Sequence, residues 1–209
     1  RHDLEALAIE DQRRGFLGYD LITGQVTPDH PLFGWLVRNG TSPNDLLDLV
    51  RRGIKLDVLG LNFYPQWSVQ QLTVDTRGRL VYRATEQDGS SFASIIRDYY
   101  RRYNAPILIT ETSAVGPEEI RSRWLESSLA TIKQLRSESV PVLGYTWFPL
   151  FTMVDWRYRY RPGPVADYYL DLGLYKLGAN GGSRWQATPL VEQFRRHVAD
   201  PASSVGPLV

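Results

Sequence analysis

The stretch Ile107-Leu108-Ile109-Thr110-Glu111-Thr112-Ser113-Ala114, ILITETSA, follows Pro106 and precedes Gly116-Pro117. It opens with apolar, β-branched residues, the composition of a buried strand. It then reaches a carboxylate and passes into small polar residues. A strand that finishes in this way holds a charge at its tip, where ionisation is costly unless something binds there. Two other runs have the same form. KLDVLGLNFYP, at 55–65, is a short apolar run closed by proline, and VPVLGYTWF, at 140–148, is a third. All three read as strands covered on both faces.

Amphipathic helices are expected around them. Residues 3–14 place Leu4, Leu7 and Ala8 opposite a charged face, with Gly15 and Gly18 expected to interrupt the helix and Pro28 and Pro31 to keep the chain irregular to residue 31. Residues 43–52 start behind Ser42 as a candidate cap and Pro43 in the first turn. A hairpin is expected over 67–86 around Arg77-Gly78, and a helix over Ser90 to Tyr103. From Pro117 to about Ser137 a long helix turns Ile120, Trp124, Leu125, Leu129, Ile132 and Leu135 inward. An aromatic- and glycine-rich loop, 151–187, leads to a last helix beginning at Thr188-Pro189. Apolar strands alternating with amphipathic helices indicate a parallel sheet of the α/β class. No glycine-rich phosphate loop follows any strand, which favours a (β/α)8 barrel over a doubly wound sheet.

Composition closes off several function classes. The chain has 209 residues, 43% of them hydrophobic, and a formal net charge of +1, so nothing calls for nucleic acid as partner. Positive charge is carried almost wholly by arginine, which reads as compositional bias. There is no cysteine, hence no disulfide or thiolate metal site. His2, His30 and His197 lack metal-ligand spacing and read as surface residues, so neither a metal nor another cofactor is expected. No apolar run approaches the ~20 residues that span a bilayer, and no signal peptide is visible, so a cytoplasmic location without membrane contact is expected. The run WRYRYRP at 156–162 offers stacking rings and arginines, but a loop at the rim of an active site explains it better than nucleic acid.

In a barrel the strand ends converge on one face. Here that face would gather Asn62 and Tyr64, then Glu111, then Trp147, Phe148, Phe151, Asp155 and Trp156. Aromatic faces stack on sugar rings, carboxylates and amides grip hydroxyls, and a carboxylate beside a phenol can be held ionised as a nucleophile. The set suggests a carbohydrate pocket.

Three blocks resemble the last third of the family 1 glycoside hydrolases, the retaining β-glycosidases. DVLGLNFYP resembles their strand-six motif D-F-L-G-I-N-Y-Y, and PILITETSA their strand-seven motif P-I-Y-I-T-E-N-G-A. VLGYTWFPLFTMVDW resembles the strand-eight motif G-Y-F-x-W-S-L-L-D-N-F-E-W, DLGLYKL the R-F-G-L after it, and GFLGYDLITGQVTPDHP the passage before strand six. The likeness extends over nearly the whole chain. It implies the C-terminal part of a (β/α)8 TIM barrel, incomplete on its own, over residues 1–209.

The resemblance puts Glu111 at the nucleophile, Tyr64 at the tyrosine that hydrogen-bonds it and Asn62 near the reacting sugar. Trp156 falls on the glycone-lining tryptophan, and Asp155 stands one methylene shorter than the usual glutamate. Thr112-Ser113 replace an asparagine and a glycine, Phe148-Pro149 replace W-S, and Trp147 stands one position early, where strand parity would turn it the other way. Trp147 and Phe148 are candidate sugar contacts or, equally, core residues.

The resemblance implies retaining hydrolysis of β-glycosides through a covalent intermediate on Glu111, with a small carbohydrate or glycoside as substrate. Such hydrolysis needs two carboxyl groups about 5–5.5 Å apart. The family's acid/base sits in an N-E-P motif on strand four, which this chain lacks, and neither Glu86 nor Asp155 is expected to replace it. Strands one to five have no counterpart here. With Arg1 at its start, the chain is expected to be the C-terminal piece of a longer or cleaved enzyme that works with an N-terminal companion segment or chain. The alternatives are a catalytically inactive sugar-binding or scaffold relative and another barrel glycosidase.

Overall fold

The computed structural model describes residues 2–84, 89–177 and 185–199. The chain divides into two compact units, Arg1–Asp57 with Leu72–Arg83, and Val58–Gln71 with Ala84–Val209. Glu86 lies outside the described residues.

In the first unit α1 (His2–Ile22), α2 (Phe33–Arg38) and α3 (Pro43–Arg51) surround a small core of Val26, Leu36 and Leu46. Contrary to the sequence expectation, α1 runs straight through Gly15 and Gly18. Both face open space and leave every helical hydrogen bond possible, so each costs only about 1 kcal/mol relative to alanine. The helix stops at Gly24 instead, whose φ of +72° and closeness to the Val50 carbonyl admit no side chain. Ser42 stands before α3 but its hydroxyl caps nothing. His30 is a second correction. Its side chain is 8% exposed, its Nε2 lies 3.2 Å from Asp20 Oδ2, and its Nδ1 accepts the Leu32 amide at 3.1 Å. It is an interior histidine, not a surface one.

The second unit is built on three parallel strands, β1 (Leu59–Phe63), β4 (Ile107–Thr112) and β5 (Val142–Trp147), in the order β1-β4-β5. Between β1 and β4 the chain forms the short helix α4 (Pro65–Ser68), the hairpin of β2 (Gln70–Val74) and β3 (Leu80–Ala84), most of which belongs to the first unit, and α5 (Ser90–Tyr103). Asp75 fixes the hairpin turn by accepting the amides of Arg77 and Arg79 at 2.8 and 2.9 Å. Then α6 (Glu118–Ser137) joins β4 to β5. The helix-facing side of the sheet is aromatic. Phe63 lies 4.8 Å from Phe92 of α5 and 5.5 Å from Trp124 of α6, so one cluster joins strand and both helices.

Past β5 the expected loop carries more order than its composition suggested. Short antiparallel pairs form between β6 (Met153–Val154) and β7 (Tyr169–Leu170), and between β8 (Tyr175–Leu177) and β9 (Trp185–Ala187). Two 3-10 turns, Trp156–Arg159 and Val165–Tyr168, lie within it. Helix α7 (Pro189–Ala199) closes the described chain. This is part of a (β/α)8 barrel, with no closed barrel among the described residues.

Candidate active site

Strand β4 explains how a carboxylate comes to follow buried isoleucines. Ile107 and Ile109 face the helices and are fully buried, so simple alternation would send Glu111 the same way. The pairing prevents it. Leu61 is opposite Ile109, but the next residue, Asn62, is opposite Glu111, so β4 holds one extra residue at Thr110. The β5 side shows the same excess, since Tyr145 pairs with Ile109 and Trp147, only two residues on, with Thr112. This β-bulge resets the parity. Thr112 takes the helix side, where its hydroxyl accepts the Trp124 indole N–H at 2.9 Å, and Glu111 turns to the opposite face beside Asn62.

Tyr64, the residue just after β1, reaches across to it. Its hydroxyl donates to Glu111 Oε2 at 2.7 Å, linking residues 47 positions apart. Burial first, and then the bond and charge of Glu111, push the Tyr64 phenol well above the ordinary tyrosine range. It therefore stays a donor at neutral pH, and Glu111 the acceptor. Asn62 is exposed on the same face, with Oδ1 accepting from the Thr110 hydroxyl at 2.6 Å. Two glycines let β4 side chains close on the neighbouring strands: a Cβ on Gly60 would press on Thr110, and one on Gly144 on Leu108.

The remaining candidates divide. Phe148 is 39% exposed, and its amide donates to the Thr112 carbonyl at 3.0 Å, which keeps it at the tip of β5 beside the end of β4. Trp147 is only 5% exposed, and its indole N–H donates to the Leu172 carbonyl at 2.9 Å. That places it among the core residues.

Asp155 caps the first 3-10 turn. Its oxygens accept the Arg157 amide and Nε, both at 2.8 Å, and the Arg157 guanidinium holds its carboxyl below the usual carboxylate range. Trp156 is 64% exposed, with the Arg159 guanidinium 4.4 Å from its ring. Among the described residues no hydrogen bond or ring contact joins Asp155 or Trp156 to Tyr64 or Glu111. The structure thus brings Asn62, Tyr64, Glu111 and Phe148 to one end of the sheet and sets Asp155 and Trp156 on the following loop.

Two groups escaped the sequence reading. Gln66, in α4, donates from Nε2 to the Val115 carbonyl at 3.1 Å and accepts the Val115 amide on Oε1 at 3.2 Å. Arg121 is 4% exposed and donates to the Gly173 carbonyl at 3.0 Å, tying α6 to the D-L-G-L segment. Both lie outside the motif residues, and their partners are backbone atoms, which no side-chain pattern announces.

A scan against protein-family models gives no match, and a sequence search among curated proteins gives none. Solved structures do match. The β-glucosidase of Thermotoga maritima in complex with noeuromycin superposes with a TM-score of 0.65 at 17% identity, over 90% of this chain and 44% of that one. Its complex with methoxycarbonyl-substituted glucoimidazole gives a TM-score of 0.66 at 18% identity, over the same 90% and 44%. The GH1 β-glucosidase of Exiguobacterium antarcticum B7 gives 0.62 at 16%, over 86% and 42%. The chain spans less than half the length of these enzymes. Its fold is that of a C-terminal portion of the family 1 β-glucosidase barrel.

Proposed function

We propose that this chain is the C-terminal portion of a retaining β-glycosidase and carries its nucleophile. Glu111 attacks the anomeric carbon of a bound β-glycoside as the glycosidic bond breaks and the acid/base protonates the departing oxygen; water then hydrolyses the covalent glycosyl-enzyme. Tyr64 donates to one carboxylate oxygen, which orients the attacking group without neutralising it. Asn62 and Phe148 line the same end of the sheet, while Asp155 and Trp156 grip and stack on the sugar from the loop. The Asp155 carboxylate retains lone pairs beyond those that Arg157 occupies, so a sugar hydroxyl can still donate to it. The acid/base comes from a companion N-terminal segment that supplies the remaining strands.

The observation that carries this reading is the 2.7 Å bond from the Tyr64 hydroxyl to Glu111, on the face to which the β4 bulge delivers the carboxylate. An activated 2-deoxy-2-fluoro glycoside tests it. With the companion polypeptide present, the chain should gain the mass of one fluorosugar, localised by peptide mapping to Glu111. An unlabelled chain in a folded complex would sink the proposal.

A second reading draws on the Arg157 grip on Asp155, which leaves that carboxylate less available than a dedicated sugar ligand. In it the chain is a non-catalytic sugar-binding or scaffold relative of the same barrel. A complex that binds glycosides but never acquires the label would favour it.

A further inference from the structure

We propose that Gln66 is a positioning residue for the Tyr64–Glu111 pair: its side-chain amide closes on the Val115 peptide and locks the turn after β1 against the turn after β4. The last register pair between these strands is Phe63 with Thr112. Beyond it the two backbones separate, one into α4 and the other into 113–117. Among the described residues two side chains bridge the gap. One is the Tyr64 phenol on Glu111; the other is Gln66, whose amide meets the N–H and C=O of Val115 at 3.2 and 3.1 Å. A primary amide presents a donor and an acceptor side by side, as a peptide edge does, so Gln66 acts as one residue of an added β-bridge.

Each end of the clamp is stiff. On the first side, the Tyr64 carbonyl accepts the amides of Trp67 and Ser68 at 2.9 and 2.8 Å, and the Ser68 hydroxyl accepts the Tyr64 amide at 2.9 Å. Pro65 fixes the first turn, and the Trp67 ring lies 5.2 Å from that of Tyr64. Tyr64 and Gln66 therefore move as one body. On the other side, Thr112 is tied to Trp124, and Ser113 and Ala114 are buried. Fixing Val115 against Gln66 thus fixes the distance from phenol to carboxylate. Gln66 and Val115 are themselves partly exposed, where water readily replaces a lost bond, so the fold can do without the pair. The orientation of the phenol cannot.

This inference rests on the proposed role of Tyr64 and Glu111, and the test separates the two. The 209-residue chain is labelled with [13Cζ]tyrosine, Tyr64 is assigned from the missing signal in Tyr64→Phe, and its ionisation is followed by NMR. In the native chain Tyr64 should remain un-ionised through the range, near pH ~10, where free phenols titrate. Glu111→Gln should lower its midpoint. Gln66→Met, similar in size but unable to pair with Val115, should lower it by at least half as much. A Tyr64 that ignores Gln66→Met but responds to Glu111→Gln overturns the clamp and leaves the pair standing. If it ignores both, the pair fails as well. Should Gln66→Met not fold, Gln66→Leu, uncharged and equally unable to pair with Val115, takes its place and is read by the same outcomes.

Discussion

Replacing Tyr64 by phenylalanine leaves Glu111 on its face of the sheet but removes the hydroxyl bonded to it. A hydrogen bond to a charged group is worth about 1.5–3 kcal/mol. With each 1.4 kcal/mol counting tenfold, kcat of the completed barrel should fall about 10- to 100-fold in Tyr64→Phe, with KM changed much less. The same substitution has a signature in the chain alone. Tyr64 holds its proton more tightly folded than unfolded, because of burial first and Glu111 second. Its contribution to stability is thus complete below the unfolded phenol value of ~10 and is lost as pH rises from there toward the higher folded value. Urea midpoints should be flat in this respect from pH 7 to 9 and fall above 10, and the alkaline fall should be shallower in Tyr64→Phe. Identical alkaline slopes would mean that the phenol is not held.

At the scale of single elements, the bulge in β4 is what the carboxylate depends on. Deleting Thr110 removes the extra residue, so that Glu111 follows Ile109 directly and by alternation keeps the face beside Asn62, in continuous register with β1. The deletion should therefore fold, with a urea midpoint close to that of Thr110→Val, which removes only the bond to Asn62. A deletion variant that unfolds while Thr110→Val folds would argue against Thr110 as the surplus residue. Gly173 supplies a comparison inside the loop after β5: its Cβ would stand 2.6 Å from the Phe151 carbonyl carbon, and backbone cannot step aside. Gly173→Ala should cost about 1–3 kcal/mol, and Gly144→Ala less, because the neighbour there is the mobile end of Leu108. These elements also mark how far the sequence could be read. Strands β1, β4 and β5 and helices α5 and α6 declare themselves through apolar runs and helical spacing. Tyr64 and Glu111 declare themselves through motif. The bulge does not, since ILITE carries no glycine or asparagine to signal an extra residue, and only the partner strands reveal it. Helix α1 departs from its sequence pattern for the converse reason: Gly15 and Gly18 suggest breaks, but nothing lies near enough to either to compete with the helix.

For the molecule as a whole, chemistry and architecture impose the same demand. A (β/α)8 barrel closes with eight strands, and the sheet described here has three, so β1 and β5 each present one unpaired edge among the described residues. Retaining hydrolysis needs a second carboxyl about 5–5.5 Å from the nucleophile. Asp155 is held by Arg157, so in the proposed reaction the acid/base has to come from the companion segment. The isolated chain should therefore release no chromophore from nitrophenyl β-glycosides. Turnover should appear when it is refolded or co-expressed with a polypeptide supplying the missing strands. In that complex Glu111→Ala should abolish turnover, and added azide should restore it, attacking from the side the carboxylate vacated and yielding a glycosyl azide of inverted configuration. Azide rescue separates a nucleophile from a residue that merely supports the fold, because a small anion can replace a missing reactive group but not a missing strand contact. Turnover by the chain alone, or by a complex indifferent to Glu111→Ala, would place the reacting carboxylates elsewhere.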